Sequence, residues 1–543
     1  MPNIKLFAMN RCCLISVVLL LASSGPVFAQ TAAKKAAGGP GNPEQRAARA
    51  YEAALANPAD LRAFLARMPK GADLHYHLSG GIYAESWIQA ATEDGLCVDL
   101  ASLSFTKAQT TMQSAPPQPV CGDGKVPAAK AYSDQHLYDA LIDAFSMRGF
   151  VPSAGVSGHD HFFDAFCKFG CPRYSSEWVE PISAHSHAGA WLDEVASRAA
   201  AQNEQYLELM ETPDFSHSAL IAQQIGWHNN LNQLRAALLA RGLRDDIAVA
   251  RAARDEAEVS RRKIEHCGEP EEAPACKITI RYLYQVLRGF PKEQVFAQTL
   301  LAFEAASDDP RFVGINYVMP EDGTTSMADY ALHMKMVGFL HGLYPKVHIS
   351  LHAGELAAGL VPPEGLCCHI RLAVEEAHAE RIGHGVDVMH EDRPYELLKE
   401  MAAKHVMVEI NLTSNDVILG VTGKDHPFPV YRRFGVPVAL STDDEGVSRI
   451  DLTNEYVRAA ETYSLRYADL KQMVRTGLEH NFLPGTSLWR EPDVFTRMAA
   501  ACATDAPNAA KPSAPCAAFL KSSEKAQQQW ELERRFREFE ATL

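Results

Sequence analysis

Two histidines one residue apart, His75 and His77 in Met68-Pro-Lys-Gly-Ala-Asp-Leu-His-Tyr-His-Leu-Ser-Gly-Gly81, are the first residues along the chain able to do metal chemistry. On a strand, side chains at i and i+2 point to one face. The pair therefore reads either as part of a metal site or as an unusual surface patch. Its possible partners stand far downstream: His352 in His-Ala-Gly-Glu355, His384 in Arg-Ile-Gly-His-Gly385, Asn415, and the acidic pair Asp443-Asp444.

Something must bring these residues together. Apolar or β-branched runs at 72–77, 206–210, 278–286, 312–318, 347–352, 381–384, 406–412 and 436–442 read as eight strands separated by helical patterns. Strands alternating with helices imply a parallel sheet. The near-regular spacing of the later strands favours a closed (β/α)8 TIM-type barrel, whose reactive groups gather at the C-terminal ends of the strands. Each polar motif lies at such an end. No glycine-rich phosphate loop follows the first strand, which weakens a dinucleotide-binding reading. Residues 45–67 read as one or two helices broken at Asn57-Pro58. Residues 82–203 read as a helical insertion after the first strand, with no convincing run of strands. Residues 521–543 read as a C-terminal helix packed on the barrel, with Trp530, Leu532, Phe536 and Phe539 spaced for one face.

The donor set suits one Zn2+: imidazoles from His75, His77 and His352 and an oxygen from Asp443, with a coordination position left open. A divalent ion there lowers the pKa of water towards neutrality. Glu355 is then placed to donate a proton, His384 to accept or orient one, and Asp444 to hold water or substrate. Each member also has a plainer reading. His384 can be a turn histidine, Glu355 a helix N-terminal carboxylate, and Asp443-Asp444 a helix cap. Adjacent aspartates on extended backbone project in opposite directions, so one is expected to reach the metal and the other the substrate. His159-x-His161 imitates the first motif but falls in the insertion, and His185-x-His187 reads as a solvated loop or helix start. Asn411-Leu-Thr413 matches a glycosylation triplet only by coincidence, since it sits at a strand end.

The 543 residues are 47% hydrophobic and 22% charged, enough to bury a large core. Lys5 and Arg11 precede a short apolar run and the small-x-small site Val27-Phe-Ala29, which reads as a signal peptide over 1–29. The run falls well short of the roughly 20 residues that span a bilayer. Its removal takes two positive and no acidic residues, moving the net charge from −15 to −17. A nucleic-acid partner is therefore disfavoured, and a periplasmic or secreted location is expected. Residues 30–44 read as a disordered leader, followed by the barrel domain over 45–520. Export makes disulfides plausible. Sequence-local pairs suggest Cys97 with Cys121, Cys167 with Cys171, Cys267 with Cys276 and Cys502 with Cys516, while adjacent Cys367-Cys368 read as buried free thiols.

In their order, Met-Pro-Lys-Gly-Ala-Asp-Leu-His75-x-His77-Leu-x-Gly, His352-Ala-Gly-Glu355, Arg-Ile-Gly-His384-Gly, Leu412-Thr-Ser-Asn415 and Ser441-Thr-Asp443-Asp444 resemble the adenosine deaminase family over about residues 68 to 480. The exported, cysteine-bearing form resembles its secreted growth-factor-related branch. The resemblance implies a zinc barrel that hydrolytically removes the 6-amino group of a purine nucleoside. His75, His77, His352 and Asp443 would hold zinc, Glu355 would protonate purine N1, His384 would assist the water, and Asp444 would engage water or N7. Ser79, Met319 and Gly354 would line the substrate site. Ser79 stands where the family usually has a ribose-contacting aspartate, and Met319 where it commonly has a glycine.

N-terminal sequencing of the exported protein should begin near Gln30. A mature chain that starts at Met1 would refute export.

Overall fold

The computed structural model describes residues 42–111, 118–170, 184–506, 509 and 511–543. The expected signal peptide, most of the expected leader and Cys171 lie outside the described residues. Asn42–Leu543 forms one compact unit.

Eight parallel strands define the centre: β1 (Gly71–His77), β2 (Glu204–Glu211), β3 (Thr279–Leu287), β4 (Phe312–Val318), β5 (His348–Ala353), β6 (Arg381–His384), β7 (Met407–Ile410) and β8 (Val438–Leu440). They pair in sequence order from β1 to β8. The sheet closes where Tyr76 meets Asp443 in a parallel bridge just beyond β8. The Asp443 N–H donates to the His75 carbonyl at 2.9 Å, and the His77 N–H donates to the Asp443 carbonyl at 3.0 Å. A second tie is made by Asp73, whose carboxylate accepts from Thr442 Oγ1 at 2.7 Å and from the Thr442 N–H at 3.0 Å. The all-buried pattern of β1 fits a strand covered on both faces.

Register sets the inner face. Ala353 pairs with His384 and His352 with Gly383 across β5 and β6, and Gly383 pairs with Glu409 across β6 and β7. A Cβ on Gly383 would lie 2.5 Å from His75 Cε1, so a glycine at this point makes room for the His75 ring. Lower in the barrel, the fully buried Arg381 lies 2.6 Å from Glu208 and 2.7 Å from Glu409, with its guanidinium over the Phe482 ring.

Asn57 does mark the break between the first two helices, Pro43–Ala54 and Pro58–Arg67: its side chain accepts from the Ala59 and Asp60 N–H groups. The C-terminal helix Glu524–Ala541 buries Trp530, Leu532, Phe536 and Phe539. Phe539 meets Phe64 edge-on at 5.3 Å.

The insertion differs from expectation. Besides the helices Ala84–Glu93, Gln135–Ala144, Gly158–Phe169 and Ala184–Ala201, it contains antiparallel strands at Cys97–Asp99, Ser104–Thr106 and Lys125–Pro127, and a further pair at Gln109–Thr111 and Gln118–Val120. Strands of three residues are too short to show an alternating pattern. The insertion is tied to the C-terminal ends of several strands. Met147 N–H donates to Val447 O at 2.8 Å beyond β8, and His159 Nε2 lies 3.1 Å from Asp322 Oδ1 beyond β4. Gly158 sits so close to Val417, beyond β7, that a Cβ would be 1.9 Å from its carbonyl oxygen.

Disulfides join Cys97 to Cys121, Cys267 to Cys276 and Cys502 to Cys516. Cys367 and Cys368 are also bonded to each other rather than being free thiols. Cys368 has φ +120° at the start of the helix His369–Glu375, and this backbone turn lets neighbouring sulfurs meet.

Arg381→Met leaves Glu208 and Glu409 as uncompensated buried carboxylates. It should lower unfolding free energy by about 3–5 kcal/mol in urea titrations. A midpoint equal to wild type would contradict a structural role for this ion triad.

Candidate metal centre and active site

His75 and His77 leave β1, His352 ends β5, His384 ends β6, and Asp443 follows β8. Their rings and carboxylate meet inside the C-terminal mouth. Asp443 Oδ1 lies 3.3 Å from His75 Nε2 and 3.2 Å from His77 Nε2. His77 Nε2 and His352 Nε2 stand 3.2 Å apart. His384 Nε2 lies 3.9 Å from Asp443 Oδ2 and 3.7 Å from Glu355 Oε1.

The outer nitrogens decide what the inner ones present. His75 Nδ1 donates to Glu409 Oε2 at 2.6 Å, His77 Nδ1 to Gln285 Oε1 at 2.5 Å, and His352 Nδ1 to Asn316 Oδ1 at 2.6 Å. A neutral imidazole that donates from Nδ1 offers a lone pair at Nε2. In their neutral forms the three rings therefore converge their lone pairs on one carboxylate. Two lone pairs 3.2 Å apart repel unless a cation lies between them. His75 Nε2 and Asp444 Oδ1 have no hydrogen-bond partner among the described residues. The donor set fits a divalent ion of borderline softness.

The ionisation of the site points the same way. Against the effect of burial, hydrogen bonds and charge from Asp443 and Glu409 raise His75 to about 10. Burial and three neighbouring imidazoles push His352 well below its ordinary value. A carboxylate field that demands positive charge thus stands beside an imidazole that refuses a proton, and one metal cation satisfies both.

Glu355 is buried, and that burial, with Asp443 and Glu321 nearby, raises its carboxyl well above the ordinary range. Burial likewise raises Asp444 to about 7. Asp443 and Asp444 do not diverge as extended backbone requires. Asp443 has φ +65°, and both carboxylates reach the neighbourhood of His77. Gly80 accommodates this, because a Cβ there would overlap Asp444 Oδ1 at 1.6 Å.

Among the expected substrate residues, Ser79 faces solvent in the turn Leu78–Gly81. Met319 follows β4 with φ +88°, and its carbonyl accepts from Arg288 Nε at 3.0 Å. Gly354 is buried, but its N–H already donates to Glu321 Oε1 at 3.0 Å, so it lines the site without offering that donor. Asn415 lies 2.9 Å from His384 Nδ1. His159 and His161 do not join the centre: His161 stacks on Phe150, and its Nε2 lies 3.1 Å from two backbone carbonyl oxygens. His187 pairs with Asp94. Asn411 is fully buried, which removes it as a glycosylation site in the folded chain.

Sequence reasoning missed the supports. Glu409, Gln285 and Asn316 each interrupt an apolar strand, and that interruption was the available signal. Glu321 carried none. It accepts from the Gly354 and Glu355 N–H groups at 3.0 and 2.9 Å and from His369 Nδ1 at 2.5 Å. Burial alone would raise it, yet His369, Arg288 and the Gly354 N–H hold it down to about 2.

The structure is a parallel (β/α)8 barrel with a histidine and aspartate cluster at its C-terminal mouth. The family model for adenosine deaminase matches residues 191–488, and the chain belongs to this family. Adenosine deaminase of Clostridium perfringens strain 13 is 34% identical over 135 residues, covering 25% of this chain and 37% of the relative. That of Shewanella loihica is 35% identical over 136 residues, covering 25% and 38%. The matched stretch thus spans little more than a third of these curated relatives. Similar solved structures include an amidohydrolase from Burkholderia ambifaria with bound Zn, at 17% identity and TM-score 0.49, covering 78% of this chain and 88% of that one. Adenine deaminase from Arthrobacter aurescens gives 15% identity and TM-score 0.48, covering 77% and 94%.

Glu321→Gln sets an amide NH2 against a backbone N–H and removes the charge facing Arg288. It should cost about 2–4 kcal/mol at neutral pH. Because the folded-state pKa is depressed from 4.5 to about 2, wild type loses this contribution as pH falls between those values. Urea melts over that range should converge for the two proteins, and parallel curves would contradict the role.

Proposed function

We propose that this protein is an exported, zinc-dependent hydrolytic deaminase that converts adenosine or 2'-deoxyadenosine to inosine or deoxyinosine and ammonia. It would belong to the secreted, cysteine-bearing branch of the family. The observation that carries the reading is the convergence of the His75, His77 and His352 Nε2 atoms and the Asp443 carboxylate beside buried Glu355, whose carboxyl is raised well above its ordinary range by that burial.

One Zn2+ held by His75, His77, His352 and Asp443 would act as a Lewis acid and lower the pKa of water towards neutrality. Glu355, whose carboxyl is raised well above its ordinary range by burial, would supply the proton that purine N1 needs as the ring loses aromaticity. His384 lies within 4 Å of both Glu355 and Asp443 and orients the attacking water. Asp444 has an unpartnered oxygen to accept from that water or to engage N7. Addition of water at C6 would pass one water proton to Asp444 while Glu355 protonates N1, giving a tetrahedral carbon. Delivery of that proton from Asp444 to the 6-amino group would let the C6–N bond break and ammonia leave, while the new hydroxyl returns its proton to Glu355, so one water is consumed for each ammonia formed. The ties between the insertion and the loops beyond β4, β7 and β8 favour a site sheltered from bulk water. Solvent-facing Ser79 leaves room for another aminopurine or a modified nucleoside as the substrate.

Metal analysis combined with an adenosine, deoxyadenosine and adenine panel, followed by ammonia release and loss of adenine-ring absorbance, tests this reading. One zinc per chain and turnover of adenosine or deoxyadenosine are expected. Glu355→Gln should keep its zinc and lose about 10²–10⁴-fold in kcat. Zinc-loaded protein that turns over no aminopurine would sink the proposal, and an active Glu355→Gln enzyme would remove Glu355 from its role.

A further inference from the structure

The fourth imidazole is held differently from the other three. At the far end of the chain of contacts stands the Phe428 backbone N–H, which can only donate, and it meets His426 Nδ1 at 3.0 Å. His426 Nδ1 is therefore an acceptor. Burial, reinforced by Arg458, pushes His426 down to about 4, so the ring is neutral and its proton must reside on Nε2. That Nε2–H lies 3.0 Å from Asn415 Oδ1, which orients the Asn415 amide with Nδ2 pointing away. Asn415 Nδ2 then donates to His384 Nδ1 at 2.9 Å. Asn411 Nδ2 stands at the same nitrogen at 3.4 Å. A proton on His384 Nδ1 would point at the Asn415 NH2 group, which is the amide that His426 orients. His384, Asn415 and His426 are all buried.

We infer that His426 and Asn415 are positioning residues that fix His384 as the Nε2–H tautomer, so that the reaction centre receives a hydrogen-bond donor from His384 and metal-binding lone pairs from His75, His77 and His352. The division follows from which neighbour each Nδ1 meets: an acceptor oxygen in three cases, an amide donor in the fourth. His384 Nε2 has no hydrogen-bond partner among the described residues, so its N–H is free to meet an oxygen arriving between Glu355 and Asp443. His384 then acts as a donor that holds and polarises this oxygen. It is excluded from the ligand set although its Nε2 lies close enough to be counted with it.

The kinetic part of the test rests on the deaminase reading, and the spectroscopic part does not. In zinc-loaded full-length protein labelled with [15N]histidine, long-range 1H–15N spectra report which nitrogen of each ring is protonated. Cross-peaks lost in His384→Gln assign His384. The expected result is protonated Nε2 and bare Nδ1 at His384, with the reverse pattern at the three ligand rings. Asn415→Asp replaces the donor with an acceptor and should move the His384 proton to Nδ1. It should lower kcat by about 10²-fold or more, with KM and zinc content near wild type, as expected when a catalytic imidazole is held in the wrong tautomer. His426→Phe frees the Asn415 amide to turn and should give a smaller fall in kcat with mixed His384 signals. Wild-type protein carrying the proton on His384 Nδ1 overturns the inference, and that measurement needs no variant to fold. An Asn415→Asp enzyme with unchanged tautomer and kcat within about threefold of wild type also overturns it. Failure to deaminate any purine, with Nε2–H observed, would defeat the proposed activity and leave the tautomer assignment standing.

Discussion

The barrel closes through the main chain of Asp443, and the rest of the site depends on that closure. Two backbone hydrogen bonds, to the His75 carbonyl and from the His77 N–H, bring the last strand's extension onto the first strand. The side chains of the same three residues converge at 3.2–3.3 Å. Closing the sheet and assembling most of the donor set are therefore one event. The left-handed backbone of Asp443 allows it, because the main chain continues the parallel pairing while the carboxylate turns towards the barrel axis. Asp73 secures the same seam through Thr442. A slip of β1 against Asp443 would break the pairing and the cluster together.

Closure places four imidazoles within one small volume, and their surroundings make them chemically distinct. The acceptors behind the proposed ligands, Glu409, Gln285 and Asn316, lie on β7, β3 and β4, so rigid strands orient the rings. Glu409 stays ionised in the interior because Arg381 stands beside it, opposing the effect of burial. Arg381 also contacts Glu208, which carries the charge balance from the site to the lower barrel. A buried charge of this kind contributes little net stability when paired and costs several kcal/mol when its partner is lost. The network is better understood as holding His75 in one orientation than as a source of fold stability.

What the sequence revealed follows from the range over which each signal acts. All eight barrel strands were legible, because each is an apolar run between helical patterns and needs no long-range information. The side chains His75, His77, His352, Glu355, His384 and Asp443 were legible by type and by position at strand ends. Glu321 and His426 were not, since each acts through a hydrogen bond to a residue distant in sequence and neither sits in a periodic pattern. The directions of Asp443 and Asp444 were misread because the rule for extended backbone fails at a positive φ. The Cys367–Cys368 bond was misread for a related reason, as Cys368 also has a positive φ.

His384 shows how such backbone strain and side-chain placement work together. Its φ of +68° is unfavourable for a residue with a side chain and persists only where surrounding contacts over-determine it. Those contacts are present on both sides: Ala353 pairs with it in the sheet, Asn415 meets its ring, and the following Gly385 carbonyl accepts from Tyr431 at 2.6 Å. The unusual backbone aims the ring inward from the end of β6, and the amide behind it determines which nitrogen carries hydrogen. Glu321 serves the facing loop in the same way. By taking the N–H groups of Gly354 and Glu355, it fixes the turn after β5 that presents Glu355 to the centre. For the proposed chemistry these two supports place a carboxyl raised well above its ordinary range by burial and a hydrogen-bond donor around one oxygen position.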